Sequence, residues 1–247
     1  LYEELELNLR NIMLVANPED LEKITEAFRD DPKYLGGGFG SGFKDKGIKY
    51  MDRIFPEDLE AINIVVRQGN ELVGYNTDAL GFVRSLEDKF KEINKTMQNA
   101  NYVILGAGGV AKEIVKLIAQ KSPHRITVLN RTISKAVDLA SGVNREYGGK
   151  RGIAVAGGED ITRGYVLNSF IKPDAIINLT NKGSDGEFEE FSAFAAADDK
   201  GYNENISRTI ARELSCLNPD VIVADIALHK SGKTKTLRIA ENEGLKN

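Results

Sequence analysis

Apolar residues fall in two rhythms along this chain, one up to about residue 95 and another after it. Near the start, Arg10 to Ala16 (RNIMLVA) is an almost unbroken apolar run and predicts a buried strand. Asn17 then caps a helix, with Pro18 at its first position. Glu19 and Asp20 complete its first turn, where negative charge suits the positive end of the helix dipole. The stretch Gly36 to Gly42 predicts a loop that leads into a short helix over Phe43 to Asp52. Ile62 to Val66 and Glu71 to Tyr75 flank Gly69-Asn70 and predict a hairpin. From Thr77 onward, Leu80, Val83, Leu86, Phe90 and Ile93 recur at three- and four-residue spacing, the buried face of one long helix.

After the polar stretch Asn94 to Asn101, short apolar runs alternate with helical patterns. Tyr102 to Leu105 precedes a helix over Val110 to Lys121, and Ile126 to Leu129 precedes one over Ser134 to Tyr147. Gly152 to Ala156, Asp174 to Asn178 and Val221 to Ile226 predict further strands, with a helix over Glu204 to Leu217. Strands in such alternation form a parallel sheet covered on both faces, an α/β architecture.

Composition narrows the function more than the fold. The 247 residues are 41% hydrophobic and 28% charged, with a net charge of −4. A phosphate backbone therefore meets no general attraction, and nucleic acid is not an expected partner. The single cysteine, Cys216, excludes an internal disulfide framework and fits a reducing cytoplasm. It lies between Leu214 and Leu217 and reads as a core residue. No apolar run approaches the roughly 20 residues that cross a bilayer, and no signal-peptide pattern is present. No His, Cys or Asp set has the spacing of a metal site, so no metal is expected.

The candidate chemistry starts at Gly106-x-Gly108-x-x-Ala111, which follows a strand and opens a helix. Gly106 permits a tight turn, Gly108 lets a pyrophosphate approach the backbone, and Ala111 allows close helix–sheet packing. With Ala107, Gly109 and Val110 they form a cradle whose N–H groups and helix dipole suit a dinucleotide's phosphates. The next strand ends in Asn130-Arg131-Thr132, with Lys135 one turn on. An acidic residue there would hold the ribose 2′-hydroxyl of NAD, whereas an amide, a guanidinium and an ammonium suit the 2′-phosphate of NADP. Two ionisable residues stand upstream. Asp78 sits in the first turn of the long helix, and Lys44 follows the glycine-rich loop. Taken alone, Asp78 reads first as a structural residue of its helix start and Lys44 as a solvated surface group.

Gly74-Tyr-Asn-Thr-Asp78-x-x-Gly-Phe82, Ile104-Leu-Gly-Ala-Gly-Gly-Val-Ala111 and Asn130-Arg-Thr-x-x-Lys-Ala136 together resemble the shikimate dehydrogenase family, quinate/shikimate dehydrogenases included. Glu60-Ala-Ile-Asn63, Asn178-x-Thr180-x-x-Gly183 and the pair Asp225 and Thr234 agree with it, and the likeness runs from about residue 8 to 245. The resemblance implies two α/β domains. A smaller substrate domain would span residues 1–84, joined by a returning helix over 234–247, and a Rossmann-like NADP domain with a parallel sheet would span 85–233. It implies reversible NADP-linked hydride transfer between 3-dehydroshikimate and shikimate. Lys44 and Asp78 would be catalytic, Asn63 and Asp78 would bind substrate, and Thr180 and Gly183 would border the nicotinamide. The chain also departs from the pattern. Gly38, Gly40 and Gly42 stand where the family carries Asn, Thr and Pro before the lysine, with Ser41 one position away from a replacement donor. Leu228 stands for a tyrosine, and Thr234-Lys235 for a Thr-Pro pair. These departures leave open a related cyclic hydroxy acid as substrate, such as quinate or an aminated analogue. They equally leave open a non-catalytic NADP(H)-binding regulatory protein. A homodimer is also open.

Overall fold

A computed structural model of the chain describes residues 6–40, 42–57, 59–149, 152–167, 172–196 and 198–247, so Ser41 lies outside the described residues. The contacts divide the chain into two compact units, Leu1–Thr77 and Asp78–Asn247.

In the first unit, Pro18–Asp20 forms a single tight turn whose entry is held by the Asn17 N–H donating to Asp20 Oδ2. It runs into α1 (Leu21–Asp30). A four-stranded sheet follows, built from β1 (Gly36–Gly38), β2 (Arg53–Phe55), β3 (Ile64–Gln68) and β4 (Glu71–Tyr75) in the order β1-β3-β4-β2. β3 and β4 are the expected hairpin, with Gly69 at φ +66° in its turn. Its small core is Leu59, Ile62, Val65 and Leu72, with Phe28, Tyr34 and Phe39 packed against it.

Three expectations are corrected here. Arg10 to Ala16 forms no strand: Met13 is 91% and Val15 90% exposed. No described strand pairs with this segment, and an apolar run is buried only where a ladder partner and a covering layer exist. The start of the glycine loop is instead strand β1, antiparallel to β3 with Gly37 opposite Val65. A side chain at Gly36 would lie 2.5 Å from the Val65 carbonyl oxygen, so glycine is what lets the two backbones meet. The short helix expected over Phe43 to Asp52 is only a 3₁₀ turn, Ile48–Tyr50, preceded by turns.

The second unit opens with α2 (Asp78–Glu92). Then come β5 (Asn101–Leu105), α3 (Gly109–Ala119), β6 (Arg125–Leu129), α4 (Ile133–Tyr147), β7 (Ala154–Gly157), α5 (Thr162–Val166), β8 (Ala175–Asn178), α6 (Lys200–Leu217), β9 (Ile222–Asp225) and α7 (Lys235–Asn242). The five strands form one parallel sheet in the order β7-β6-β5-β8-β9. Alternate residues of β5 feed two cores, as strands covered on both faces must. Tyr102 and Ile104 pack with residues of α2, α3 and α4, while Val103 and Leu105 pack with residues of α6 and α7.

That packing moves the expected domain limits. Val83, Leu86 and Phe90 of α2 belong to the core of the second unit, so the division falls after Thr77 rather than at 84/85. Ile239 and Ala240 of α7 join Val221 and Val223 in one core, so residues 234–247 belong to the second unit. Cys216 is exposed rather than in the core, because on α6 the buried stripe passes through Ile210, Ala211 and Leu214.

Candidate functional site

The sheet of the second unit ends in a row of five residues in register, Gly157, Leu129, Leu105, Asn178 and Asp225. Ligands of open α/β sheets bind beyond such carboxyl ends. Gly106, next after Leu105, donates its N–H to Leu129 O at 2.7 Å and has φ +111°. A side chain there would sit 2.9 Å from the Leu179 carbonyl and from Thr180 Cγ2, so the turn tolerates only glycine. Gly108 caps α3 in an extended conformation, and no atom stands within 4 Å of a side chain built at Gly108 or Gly109. The first turn of α3 carries no acidic residue, which leaves its positive end for an anion. Val110 is partly buried against the core, and Ala111 is fully buried, as close helix–sheet packing requires.

Beyond β6, Asn130 accepts the Ala107 N–H on Oδ1 at 3.1 Å and donates from Nδ2 to Thr132 O at 2.9 Å. It staples the glycine turn to the neighbouring strand end. Thr132 caps α4, and Arg131 and Lys135 are exposed beside it.

At the end of β8, Asn178 has every hydrogen-bonding capacity of its side chain filled. Oδ1 accepts Thr180 N–H at 2.9 Å and Thr180 Oγ1–H at 2.7 Å. Nδ2 donates to Lys182 O at 3.0 Å and to Asp225 Oδ1 at 2.9 Å. Asp225 accepts two more hydrogen bonds, from Ala227 N–H at 2.9 Å and Thr234 Oγ1–H at 2.6 Å. Burial raises its carboxyl to about 6, against the opposing pull of these donors. Gly183 has φ +87°, and a side chain there would lie 2.8 Å from Thr234 Cβ.

In the first unit, hydrogen bonds link Phe39, Lys44, Ile62, Asn63 and Thr77. Asn63 Oδ1 accepts the Thr77 N–H at 2.8 Å, and Asn63 Nδ2 donates to Thr77 Oγ1 at 3.0 Å. The Asn63 carbonyl accepts from Phe39 N–H at 2.8 Å, and Lys44 O accepts from Ile62 N–H at 2.9 Å. Main-chain bonds thereby gather Lys44, Asn63 and the end of the glycine-rich loop, and the Asn63 side chain holds Thr77. Asp78 is the first residue of α2, in the second unit.

The folded chain also gathers Asp185, Glu189 and His229, whose ligand atoms lie within 4.8 Å of one another. Spacing did not reveal this group, since the histidine comes from a different loop. One hydrogen bond within the group and donors from Lys230 and Ser231 hold it together. Ser231 N–H donates to His229 Nδ1 at 3.0 Å, and His229 Nε2 faces Glu189 Oε1 at 3.0 Å. Lys230 Nζ lies 3.3 Å from the same carboxylate.

Residues 88–150 match the family model of shikimate/quinate 5-dehydrogenases. An NADP(+) shikimate dehydrogenase of Alkaliphilus oremlandii is 30% identical over 247 residues, 99% of this chain and 77% of that protein. The chain belongs to the shikimate dehydrogenase family. A second relative, from Halothermothrix orenii, is 33% identical over 184 residues, 74% of this chain and 61% of that protein. The fold agrees with the crystal structure of the Listeria monocytogenes shikimate 5-dehydrogenase in complex with shikimate and NAD. That structure has a TM-score of 0.73 at 22% identity, covering 99% of this chain and 77% of that one.

Within this family fold, the glycine turn, Arg131, Lys135, Thr180 and Gly183 stand at the carboxyl ends of β5, β6 and β8. Among the described residues no helix is long and apolar enough to cross a membrane. In the sequence, Asp225 and Asn178 are only parts of a pattern. Their hydrogen bond, between residues 47 apart in the chain, becomes visible only when β8 and β9 pair.

Proposed function

We propose that this chain catalyses reversible NADP-linked hydride transfer between shikimate, or a closely related cyclic hydroxy acid, and its 3-keto form. The observation that carries the reading is the glycine turn of the second unit, open above Gly108 and Gly109. Beside it stand the exposed cations Arg131 and Lys135, with no carboxylate among residues 130–135. That donor set fits a pyrophosphate and a ribose 2′-phosphate. NADP, when bound, supplies and accepts the hydride.

The chain's own residues do the rest. Arg131 and Lys135 hold the 2′-phosphate, and Asn130 holds the turn in shape. Thr180 and Gly183 border the nicotinamide end. As a substrate carbonyl is reduced its oxygen gains negative charge, and the Lys44 ammonium stabilises and protonates it. Asp78 orients Lys44 and accepts hydrogen bonds from substrate hydroxyls. Asn63, whose side chain is held by Thr77, binds the substrate's polar groups. The reducing cytoplasm suits a protein whose single cysteine is exposed.

The test is NADP reduction, followed by absorbance of the reduced nicotinamide, with shikimate, quinate and a panel of cyclic hydroxy acids. The expected result is turnover that collapses in both Lys44→Ala and Asp78→Asn. Tight NADPH binding with no turnover on any member of the panel would overturn the enzymatic reading, and a preference for NAD would overturn the cofactor assignment.

A further inference from the structure

Gly106, Asn178, Thr180, Gly183, Asp225 and Thr234 form a closed set at the carboxyl ends of three adjacent strands. Thr180 packs on Gly106, and Gly183 packs on Thr234. Within the Asn178–Gly183 loop, Asn178 bonds the Thr180 main chain and hydroxyl and the Lys182 carbonyl, while the Thr180 hydroxyl accepts the Lys182 N–H at 3.1 Å. Asn178 is itself buried, and its one side-chain bond leaving the loop goes to Asp225. Asp225 in turn is fixed by Ala227 N–H and by Thr234, the residue that caps α7. The carboxylate is thus the joint between a loop and a rigid helix start.

We propose that Asp225 is a positioning residue of the hydride-transfer site: through Asn178 it holds the Thr180–Gly183 loop against the glycine turn and so sets where the nicotinamide end of the cofactor lies. The proposal rests on the dinucleotide reading given above. Asp225 acts through Asn178 and is not required to touch cofactor or substrate. Its chemistry makes a sharp demand on replacements. Both Asn178 Nδ2 and Ala227 N–H donate to the same oxygen, Oδ1, while Oδ2 meets only the Thr234 hydroxyl. An asparagine can therefore keep all three contacts, its oxygen in place of Oδ1 and its amide nitrogen donating to the Thr234 oxygen. An alanine keeps none.

The experiment compares Asp225→Ala, Asp225→Asn, Asn178→Ala and the Asp225→Ala/Asn178→Ala double variant in the full chain. It reads kcat, NADPH affinity by nicotinamide fluorescence, and affinity for adenosine 2′,5′-bisphosphate, which lacks the nicotinamide half. Asp225→Ala is expected to lose about 10- to 100-fold in kcat, because a small displacement at the reacting end suffices for that. Its NADPH affinity should fall about tenfold, while the bisphosphate binds within about twofold of the parent, because only the nicotinamide end has shifted. Asp225→Asn should stay within about threefold of the parent, and the double variant should be scarcely worse than either alanine variant, as expected for coupled residues. A folded Asp225→Ala with unchanged kcat, or an Asp225→Asn as impaired as the alanine variant, would overturn the proposal. Amide exchange at Thr180 and Lys182 gives a readout independent of turnover. It should accelerate at least about tenfold in Asp225→Ala and stay at the parent rate in Asp225→Asn, and equal rates in both would overturn the positioning role. If Asp225→Ala does not fold, Thr234→Val removes one anchor of the carboxylate and is read in the same way. A parent that binds neither NADPH nor the bisphosphate would sink the dinucleotide reading alone, and the exchange rates would still decide whether Asp225 holds the loop.

Discussion

Gly106 of the second unit and the pair Gly38 and Gly40 of the first put glycine to opposite uses. In the second unit, Gly106 stands where the Leu179 carbonyl and Thr180 leave no room for a side chain, and Asn130 and Asn178 hold the segments on either side of it. In the first unit, Gly38 and Gly40 stand in a stretch where little or nothing crowds them. A side chain at Gly38 would find its nearest neighbour at 3.6 Å, and one at Gly40 would find nothing within 4 Å. The fold dictates the first kind of glycine and merely permits the second. A permitted glycine in a site that handles small polar molecules is a statement about ligand rather than about fold, because the missing side chains are missing donors.

The largest effect that would test this contrast is expected at Gly106. Gly106→Val adds bulk against the Leu179 carbonyl and Thr180 at a φ of +111°. Strain and overpacking together should cost about 3 kcal/mol or more of stability. Dinucleotide binding should be lost with it, whereas Gly109→Ala should leave the urea midpoint nearly unchanged. Equal midpoints for the two variants would remove the contrast.

Asp225 comes next, and its effect depends on pH. Its carboxyl titrates at about 6 in the folded protein, against about 4 in an unfolded chain. The folded state therefore holds this proton more tightly. The group's stabilising contribution is complete below about pH 4 and is lost as pH rises through about 6, a change of roughly 3 kcal/mol. Asparagine cannot ionise, so Asp225→Asn should gain stability relative to the parent as pH rises from about 4 to 7. Urea titrations of both proteins across that range would check the sign, and a difference constant with pH would contradict it.

The cofactor cations should give a smaller and more selective loss. Replacing Arg131 and Lys135 together by alanine removes charge-assisted donors from an exposed site, and NADPH affinity should fall about 10- to 100-fold. NADH affinity, which does not depend on the 2′-phosphate, should change little. Isothermal titration with both cofactors would show whether the two fall together, which would deny these residues the phosphate.

Much of the architecture was legible in advance because burial on both faces leaves a strong mark on sequence. The five parallel strands of the second unit read as short apolar runs, and the helices between them as three- and four-residue repeats. The glycine turn was legible for a related reason, since a backbone at φ +111° against a neighbouring carbonyl excludes other residues. The failures share a different cause. Arg10 to Ala16 has the composition of a buried strand, but burial depends on a distant partner that composition does not report. The bonds from the Asn130 side chain to the glycine turn were likewise not legible, since an amide at that strand end serves a cofactor or a turn equally well. The Asn178–Asp225 bond and the Asp185–Glu189–His229 group join residues far apart in the chain, and only the pairing and ordering of strand ends brings them together.

The smallest effect on stability is expected at Gly38, and it bears most directly on the comparison. Gly36 and Gly38 lie two residues apart on β1, both pairing with β3. A side chain at Gly36 would press on the Val65 carbonyl at 2.5 Å, so Gly36→Ala should cost about 1–3 kcal/mol. Gly38→Asn meets only ordinary contacts, the Asn63 carbonyl at 3.6 Å and Ile64 Cδ1 at 4.0 Å. Replacing an unneeded glycine in a strand lowers the entropy of the unfolded chain, so its stability should stay within about 1 kcal/mol of the parent. If the stretch is glycine-rich because of its ligand, Gly38→Asn should alter the ranking of the hydroxy-acid panel by KM while leaving the melting temperature in place. If Gly38→Asn unfolds the first unit as Gly36→Ala does, the glycines are there for the backbone, and the stretch says nothing about substrate.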